Sequence, residues 1–229
     1  MSTKQKALVV LSGGQDSTTC LYWALEKFGK NDTETITFDY GQRHKIEIAA
    51  AKKIAQIADV ANTVIPINSF AALGGNSLTD SNINVENNLD ETTQLPNTFV
   101  PGRNLIFLTF AAAFAYKKNI HHLVTGVAQT DYSGYPDCRR DTLQALEKTL
   151  ELGLESKITL HTPLMFITKK ETVLLAKKLG ALPAMAHSHT CYNNQHPPCN
   201  KCSACQLRAK GFADAGIIDP IFMLETNNG

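Results

Sequence analysis

Two hydrophobic periods alternate along this chain. Ala7-Leu8-Val9-Val10-Leu11 is a short, unbroken apolar run rich in β-branched residues, as expected of a strand buried on both faces. From Ser17 to Phe28 the apolar residues recur at helical spacing, and Gly29 stands where a glycine ends a helix. The same two patterns predict strands over 7–11, 35–38, 63–67, 122–125 and 158–161. They predict helices over 15–28, 44–58, 104–118, 142–150 and 169–179. Strands and helices alternating at this spacing imply right-handed crossovers and an α/β fold built on a doubly wound five-stranded parallel sheet. Pro66 falls within the third strand and cannot donate to a ladder, so that strand belongs at a sheet edge. Residues 69–100 break the scheme: long, Asn-rich and weakly periodic, they read as a flexible lid, a dimer contact or plain surface disorder.

The 229 residues suffice for one α/β domain with a small appendage. A formal charge of +1 supplies no strong field for nucleic acid or a membrane surface. Residues 1–6 precede only five apolar positions, too few for a signal peptide, and the apolar stretch over 106–116 is too short to span a bilayer. A soluble, cytoplasmic protein is expected. Six cysteines in that compartment point to metal binding or catalysis before disulfides.

The segment between the first strand and first helix reads Ser12-Gly13-Gly14-Gln15-Asp16-Ser17. Two glycines permit positive φ and close backbone approach, while Ser and Asp favour a helix start. Free N–H groups and the helix dipole there make a site for a phosphate-sized anion. Neither G-x-x-x-x-G-K-[ST] nor G-x-G-x-x-G is present.

Cys191, Cys199, Cys202 and Cys205 follow a C-x7-C-x2-C-x2-C pattern. Four soft thiolates within fifteen residues suit tetrahedral Zn²⁺; an iron–sulfur cluster or free redox thiols are the alternatives. An all-cysteine shell is closed, which argues for a structural ion. His187, His189 and His196 are not needed as ligands, and Cys20 falls on the apolar face of the first helix. The boundary this suggests separates a nucleotide-binding unit over 1–184 from a metal-binding subdomain over 185–229.

The segment from Gly126 to Arg139 follows the fourth strand, and its Gly, Pro, Ser and Asp make it a loop. Its tyrosines, aspartates and arginine could stack on, accept from and fork onto a planar polar ligand.

Ser-Gly-Gly-x-Asp-Ser directly after a first strand resembles the pyrophosphate-binding loop of the ATP pyrophosphatases, whose sheet is of the adenine nucleotide alpha hydrolase type with strand order three-two-one-four-five. Tyr40-Gly41-Gln42-Arg43-His44, Val100-Pro101-Gly102-Arg103-Asn104, the Asp-Tyr-Ser-Gly-Tyr-Pro-Asp-Cys-Arg run and the terminal cysteines follow in order. Together they resemble the 7-cyano-7-deazaguanine synthase family of queuosine precursor biosynthesis. That resemblance implies an ATP-dependent ligase acting on 7-carboxy-7-deazaguanine and ammonia, with Mg²⁺ and one structural zinc, and a homodimer. It implies an ATP site from Leu11, Ser12, Gly13, Gly14, Gln15, Asp16, Ser17 and Arg43, with Asp16 helping to hold Mg²⁺. Arg103 and Lys169 become candidates to neutralise phosphate charge, and Asp131, Tyr132, Asp137 and Arg139 to bind the deazaguanine. Two other readings carry the same loop: a tRNA-modifying ATP pyrophosphatase, against which the near-neutral charge counts, and a nucleotide-sensing module without chemistry.

Overall fold

A computed structural model describes residues 5–42, 45–70, 76–79, 83–85, 89, 91–129 and 135–223. Its five parallel strands are β1 (Ala7–Val10), β2 (Thr33–Asp39), β3 (Asn62–Pro66), β4 (His122–Val124) and β5 (Thr159–His161), in the order β3-β2-β1-β4-β5. The central β1 pairs on both sides, Ala7 with Thr33 of β2 and with His122 of β4. Pro66 closes edge strand β3 opposite Asp39, where its missing N–H costs no ladder bond on the open side.

Alternate residues of β1 serve two cores. Leu8, with Ile36 and Leu123, packs under Ala111, Ala112 and Ala115 of α3 (Arg103–Lys117) and Leu150 of α4 (Arg140–Leu154). Ala7, Val9 and Leu11 pack against Cys20, Leu21 and Ala24 of α1 (Gln15–Phe28) and Ala51 and Ile54 of α2 (Lys45–Ala58). Leu8 and Val9 are fully buried, each worth about 1.5–3 kcal/mol of apolar transfer. This two-sided burial is why β1 reads as an unbroken apolar run rather than an alternating one.

The described parts of 69–100 are not plain surface. Phe70, Leu78 and Val100 lie in the first core, and Ser77 N–H donates to the Asn97 carbonyl at 2.9 Å. The asparagines serve turns: Asn76 Oδ1 accepts from the N–H of Leu78 at 3.1 Å and of Thr79 at 3.0 Å.

Beyond the sheet, Thr168 and Glu171 form a reciprocal capping box that starts α5 (Lys169–Lys178). A short α6 (Leu182–Met185) and α7 (Ser203–Ala215), neither legible in the apolar pattern, follow. Phe212 of α7 joins Val173, Ala176, Ala181 and Met185 in one cluster, so residues from both sides of the 184/185 boundary share a core. Among the described residues no helix is long and apolar enough to cross a membrane.

Candidate nucleotide cleft and cysteine cluster

The carboxyl end of β1 runs into the Ser12–Ser17 loop beside the point where the strand order reverses, the place where open α/β sheets bind ligands. The loop is held tightly. Ser12 N–H donates to Ser17 Oγ at 3.2 Å, the two hydroxyls lie 3.0 Å apart, and Ser12 Oγ accepts from Gly14 N–H at 3.3 Å. Gly13 has φ +90°, and a Cβ there would sit 2.3 Å from the Glu47 carbonyl oxygen, so α2 packs where only glycine fits. Gly126, after β4, is as crowded: its Cβ would lie 2.9 Å from the Ser17 nitrogen. Gly14, not Ser or Asp, is the N-cap of α1, and no side chain caps the helix. The first N–H groups are thereby left for an anion.

Asp16 and Lys169, 153 positions apart, meet with Nζ donating to Oδ2 at 2.6 Å. The other carboxylate oxygen, Oδ1, and Gln15 Nε2 are buried with no hydrogen-bond partner among the described residues. An unpartnered hard oxygen beside a phosphate-type loop fits a Mg²⁺ carried by a nucleotide. Cys20, just below, is a core thiol: burial first, and then the Asp16 charge, push it well above the usual thiol value.

A cleft of about 250 Å³ opens from the loop toward α2 and α3. One wall is Leu11, Ser12, Gly14, Gln15, Asp16 and Ser17; the other includes Phe38, Tyr40, Glu47, Arg103, Asn104, Phe107 and Tyr192. Phe38 and Phe107 stack at 4.6 Å, and Arg103 Nη1 donates to Tyr40 Oη at 3.4 Å. The Tyr40 and Tyr192 hydroxyls are both pushed up by burial, so they stay neutral at pH 7. Burial also lifts the Glu47 carboxyl to about 7, against the opposing pull of Arg103.

The structure sorts the other expected site residues. Gly13 faces α2 rather than the cleft. Asp137 is buried, and its Oδ2 accepts from the backbone N–H of Asn104 at 2.9 Å and from Asn104 Nδ2 at 3.0 Å. It serves the start of α3, and through it Arg103, instead of lining the cleft. Arg139 is exposed at the start of α4 and also lies outside the cleft. Arg43, Asp131 and Tyr132 lie outside the described residues. Glu47, Thr125, Thr190 and Tyr192 line the cleft without having been singled out. Thr190 and Tyr192 carried a local signal, their places on either side of Cys191.

The four cysteine sulfurs lie within 4.8 Å of one another, and no histidine nitrogen among the described residues joins the group. Cys199 Sγ accepts from the N–H of Lys201 at 3.4 Å and of Cys202 at 3.3 Å, bonds that stabilise a thiolate. Cys202 is held down to about 5, chiefly by the hydrogen bond from the Cys205 thiol. The cluster could hold a metal ion in a closed, soft shell.

A buried arginine links this cluster to the cleft. Arg208 on α7 forks onto Asp219, Nε to Oδ2 at 2.6 Å and Nη2 to Oδ1 at 2.8 Å. Its Nη1 donates to Ser188 Oγ at 2.7 Å and Thr190 Oγ1 at 3.0 Å. The strap thus held reaches the loop, where His189 N–H donates to the Gly13 carbonyl at 2.9 Å.

Residues 6–216, spanning the phosphate-type loop, the cleft walls and all four cysteines, match the family model described as "Queuosine biosynthesis protein QueC". The chain belongs to the QueC family. It is 64% identical over 220 residues to a 7-cyano-7-deazaguanine synthase of Chromobacterium violaceum, covering 96% of this chain and 94% of the relative. It is 46% identical over 213 residues to the synthase of Bacillus subtilis, covering 92% and 95%. Among solved structures it is similar to the U34-tRNA thiolase NcsA of Methanococcus maripaludis, solved with its 4Fe-4S cluster. That likeness, with a TM-score of 0.50, 18% identity and coverage of 98% of this chain and 74% of the thiolase, is one of fold. The QueC match ends at Gly216, just before Asp219, so the carboxylate partner of Arg208 lies beyond it.

Proposed function

We propose that this QueC-family chain is an ATP-dependent ligase that converts 7-carboxy-7-deazaguanine and ammonia into 7-cyano-7-deazaguanine. The observation that carries the reading is the uncapped start of α1 with Asp16 Oδ1 unpartnered, across a cleft from Arg103 and a set of aromatic side chains. A phosphate chain belongs on the first side and a planar ring on the second. The names of the relatives supply the product, 7-cyano-7-deazaguanine, and the family resemblance supplies the acid from which it is proposed to form.

A carboxylate is a poor electrophile because its leaving group would be oxide. In the proposed first round, a substrate carboxylate oxygen attacks the α phosphorus and the bond to the β phosphate oxygen breaks. Pyrophosphate leaves against the α1 N–H groups, Ser12 and Ser17, with Arg103 opposing its charge. Ammonia then adds to the acyl carbon, AMP leaves with the C–O electron pair, and the new amide sheds a proton. A second ATP activates the amide oxygen, and loss of AMP with two N–H protons leaves the nitrile. When bound, Mg²⁺ supplies charge neutralisation on the phosphates; Asp16 is the residue that would hold it. Lys169 aims Asp16 through the bond it donates to Oδ2. Positioning and charge stabilisation do the work, and no nucleophilic side chain is required.

Zinc is the ion proposed for Cys191, Cys199, Cys202 and Cys205, since four thiolates close a tetrahedral shell. Its role is to anchor the strap that ends at the loop. A homodimer is also proposed, supported by the exposed Phe110 and Tyr116 on α3. The activity is tested by ATP–pyrophosphate exchange. Exchange that requires 7-carboxy-7-deazaguanine is expected; exchange that requires tRNA instead, or none with any acceptor, overturns the reading.

A further inference from the structure

We propose that the Glu47 carboxylate is the general base that takes a proton from ammonium in the cleft and releases ammonia to the activated acyl group. The inference rests on the ligase reading above and adds the step that reading leaves unassigned. At neutral pH dissolved ammonia is mostly ammonium, which has no lone pair to attack with. A group in the cleft has to remove its proton.

Glu47 has the required place. It lies in the first turn of α2, and its own backbone carbonyl is locked against Gly13 by the close approach that excludes any Cβ there. Its side chain lines the cleft that also contains the loop. It has the required freedom: among the described residues no hydrogen bond or ion pair engages its carboxylate, in contrast to Asp16 and Asp137. It shares the cleft with the aromatic side chains of Phe38, Tyr40, Phe107 and Tyr192, and none of these is a second carboxylate that would compete for the proton.

Its titration agrees with the role. Burial lifts the carboxyl to about 7, so near neutral pH it exchanges protons readily in either direction. The titratable and charged groups that face it are Arg103 from α3, Tyr40 after β2 and Tyr192, which follows Cys191 within the cysteine cluster. The two tyrosines are neutral there, and in the loaded cleft the Arg103 charge is matched by phosphate.

Ammonium gives one proton to the Glu47 carboxylate and becomes ammonia. The ammonia nitrogen bonds the acyl carbon, the C–O bond to AMP breaks, and AMP departs with the electron pair. The nitrogen loses a second proton to solvent to give the neutral amide, and Glu47 returns its own proton to solvent before the next turnover.

The test is Glu47→Gln in the full-length protein, with Glu47→Asp as a second variant that keeps a carboxylate. Acid-dependent ATP–pyrophosphate exchange should persist in Glu47→Gln, because adenylation precedes the proposed step. Turnover with ammonium at pH 7 should fall by about 100-fold or more, the range typical of a lost general base. It should recover as pH rises and free ammonia accumulates. Hydroxylamine, already a neutral nucleophile at pH 7, should form hydroxamate at close to the native rate. The Asp variant should keep more ammonium turnover at pH 7 than the Gln variant. Loss of exchange in both variants, an equal loss with hydroxylamine, or undiminished ammonium turnover at pH 7 overturns the proposal. Absence of acid-dependent exchange in the unaltered protein overturns the ligase reading instead.

Discussion

Removing the carboxylate of Asp219 should loosen the whole strap between the cysteine cluster and the loop. In Asp219→Ala the Arg208 guanidinium loses two charge-assisted hydrogen bonds, of 2.6 and 2.8 Å, while staying buried. Both side chains are under a tenth exposed, so solvent screening offers little relief. Breaking a buried pair from one side costs about 3–5 kcal/mol, because the remaining charge is uncompensated. The bonds from Arg208 to Ser188, Thr190 and the Met185 carbonyl soften that toward the lower end. At about 2–4 °C per kcal/mol for a chain of this size, the melting temperature should drop by roughly 6–15 °C. Circular dichroism melts of the native protein, Asp219→Ala and the double variant Arg208→Met/Asp219→Leu would measure it. The double variant should lose less than the single one, since it removes the stranded charge. Because Thr190 and Tyr192 line the cleft, KM for ATP in the exchange assay should rise at temperatures where the variant is folded. An unchanged melting temperature, or a double variant worse than the single, would refute the claim that this pair holds the strap.

Three further outcomes follow from other contacts. Asp16→Asn should abolish acid-dependent pyrophosphate exchange while leaving circular dichroism and metal content unchanged; retained native turnover would remove Asp16 from the phosphate site. Cys202→Ser should lower metal content, by elemental mass spectrometry, and melting temperature together; full metal stoichiometry in the pure variant would argue against the four-cysteine site. Glu47 binds its proton more tightly folded than unfolded, with a carboxyl at about 7 against an ordinary 4.5, so the stability it contributes is present at low pH and is lost as pH rises through 7. That loss is at most about 3 kcal/mol before discounting for part exposure. In urea unfolding, Glu47→Gln should therefore gain on the native protein between pH 5 and pH 8, and a pH-independent gap would contradict the raised carboxyl.

Features written in contiguous residues were legible in the sequence. Helix α1 runs from Gln15 to Phe28 as its apolar spacing and Gly29 demand, and Gly29 does take φ +85°. Pro66 marked the sheet edge because a missing N–H is a local fact with one structural consequence. The cysteines come together because soft ligands at short spacing have little else to do. Across from the loop, the cleft was legible at Tyr40, Arg103 and Asn104, which stand in contiguous motifs, and not at Glu47 or Tyr192. Glu47 and Tyr192 reach it from elements far apart in sequence, and no local pattern distinguishes a cleft-facing glutamate from a solvated one. Asp137 shows the reverse case: its loop is ligand-like in sequence, and its carboxylate accepts two hydrogen bonds from Asn104 at the start of α3, a contact no local pattern displays. Helix α7 escaped because its apolar face is narrow and its first turn belongs to the cysteine cluster.

The claim on which the rest depends is that the acid is activated through the α phosphate held at the Ser12–Ser17 loop. The most direct measurement starts from 7-carboxy-7-deazaguanine with both carboxylate oxygens as ¹⁸O, run to completion with ATP and ammonia, with the products read by mass spectrometry. One ¹⁸O in the AMP of each round and none in pyrophosphate is the predicted result. Label in water or inorganic phosphate, with unlabelled AMP, would contradict it.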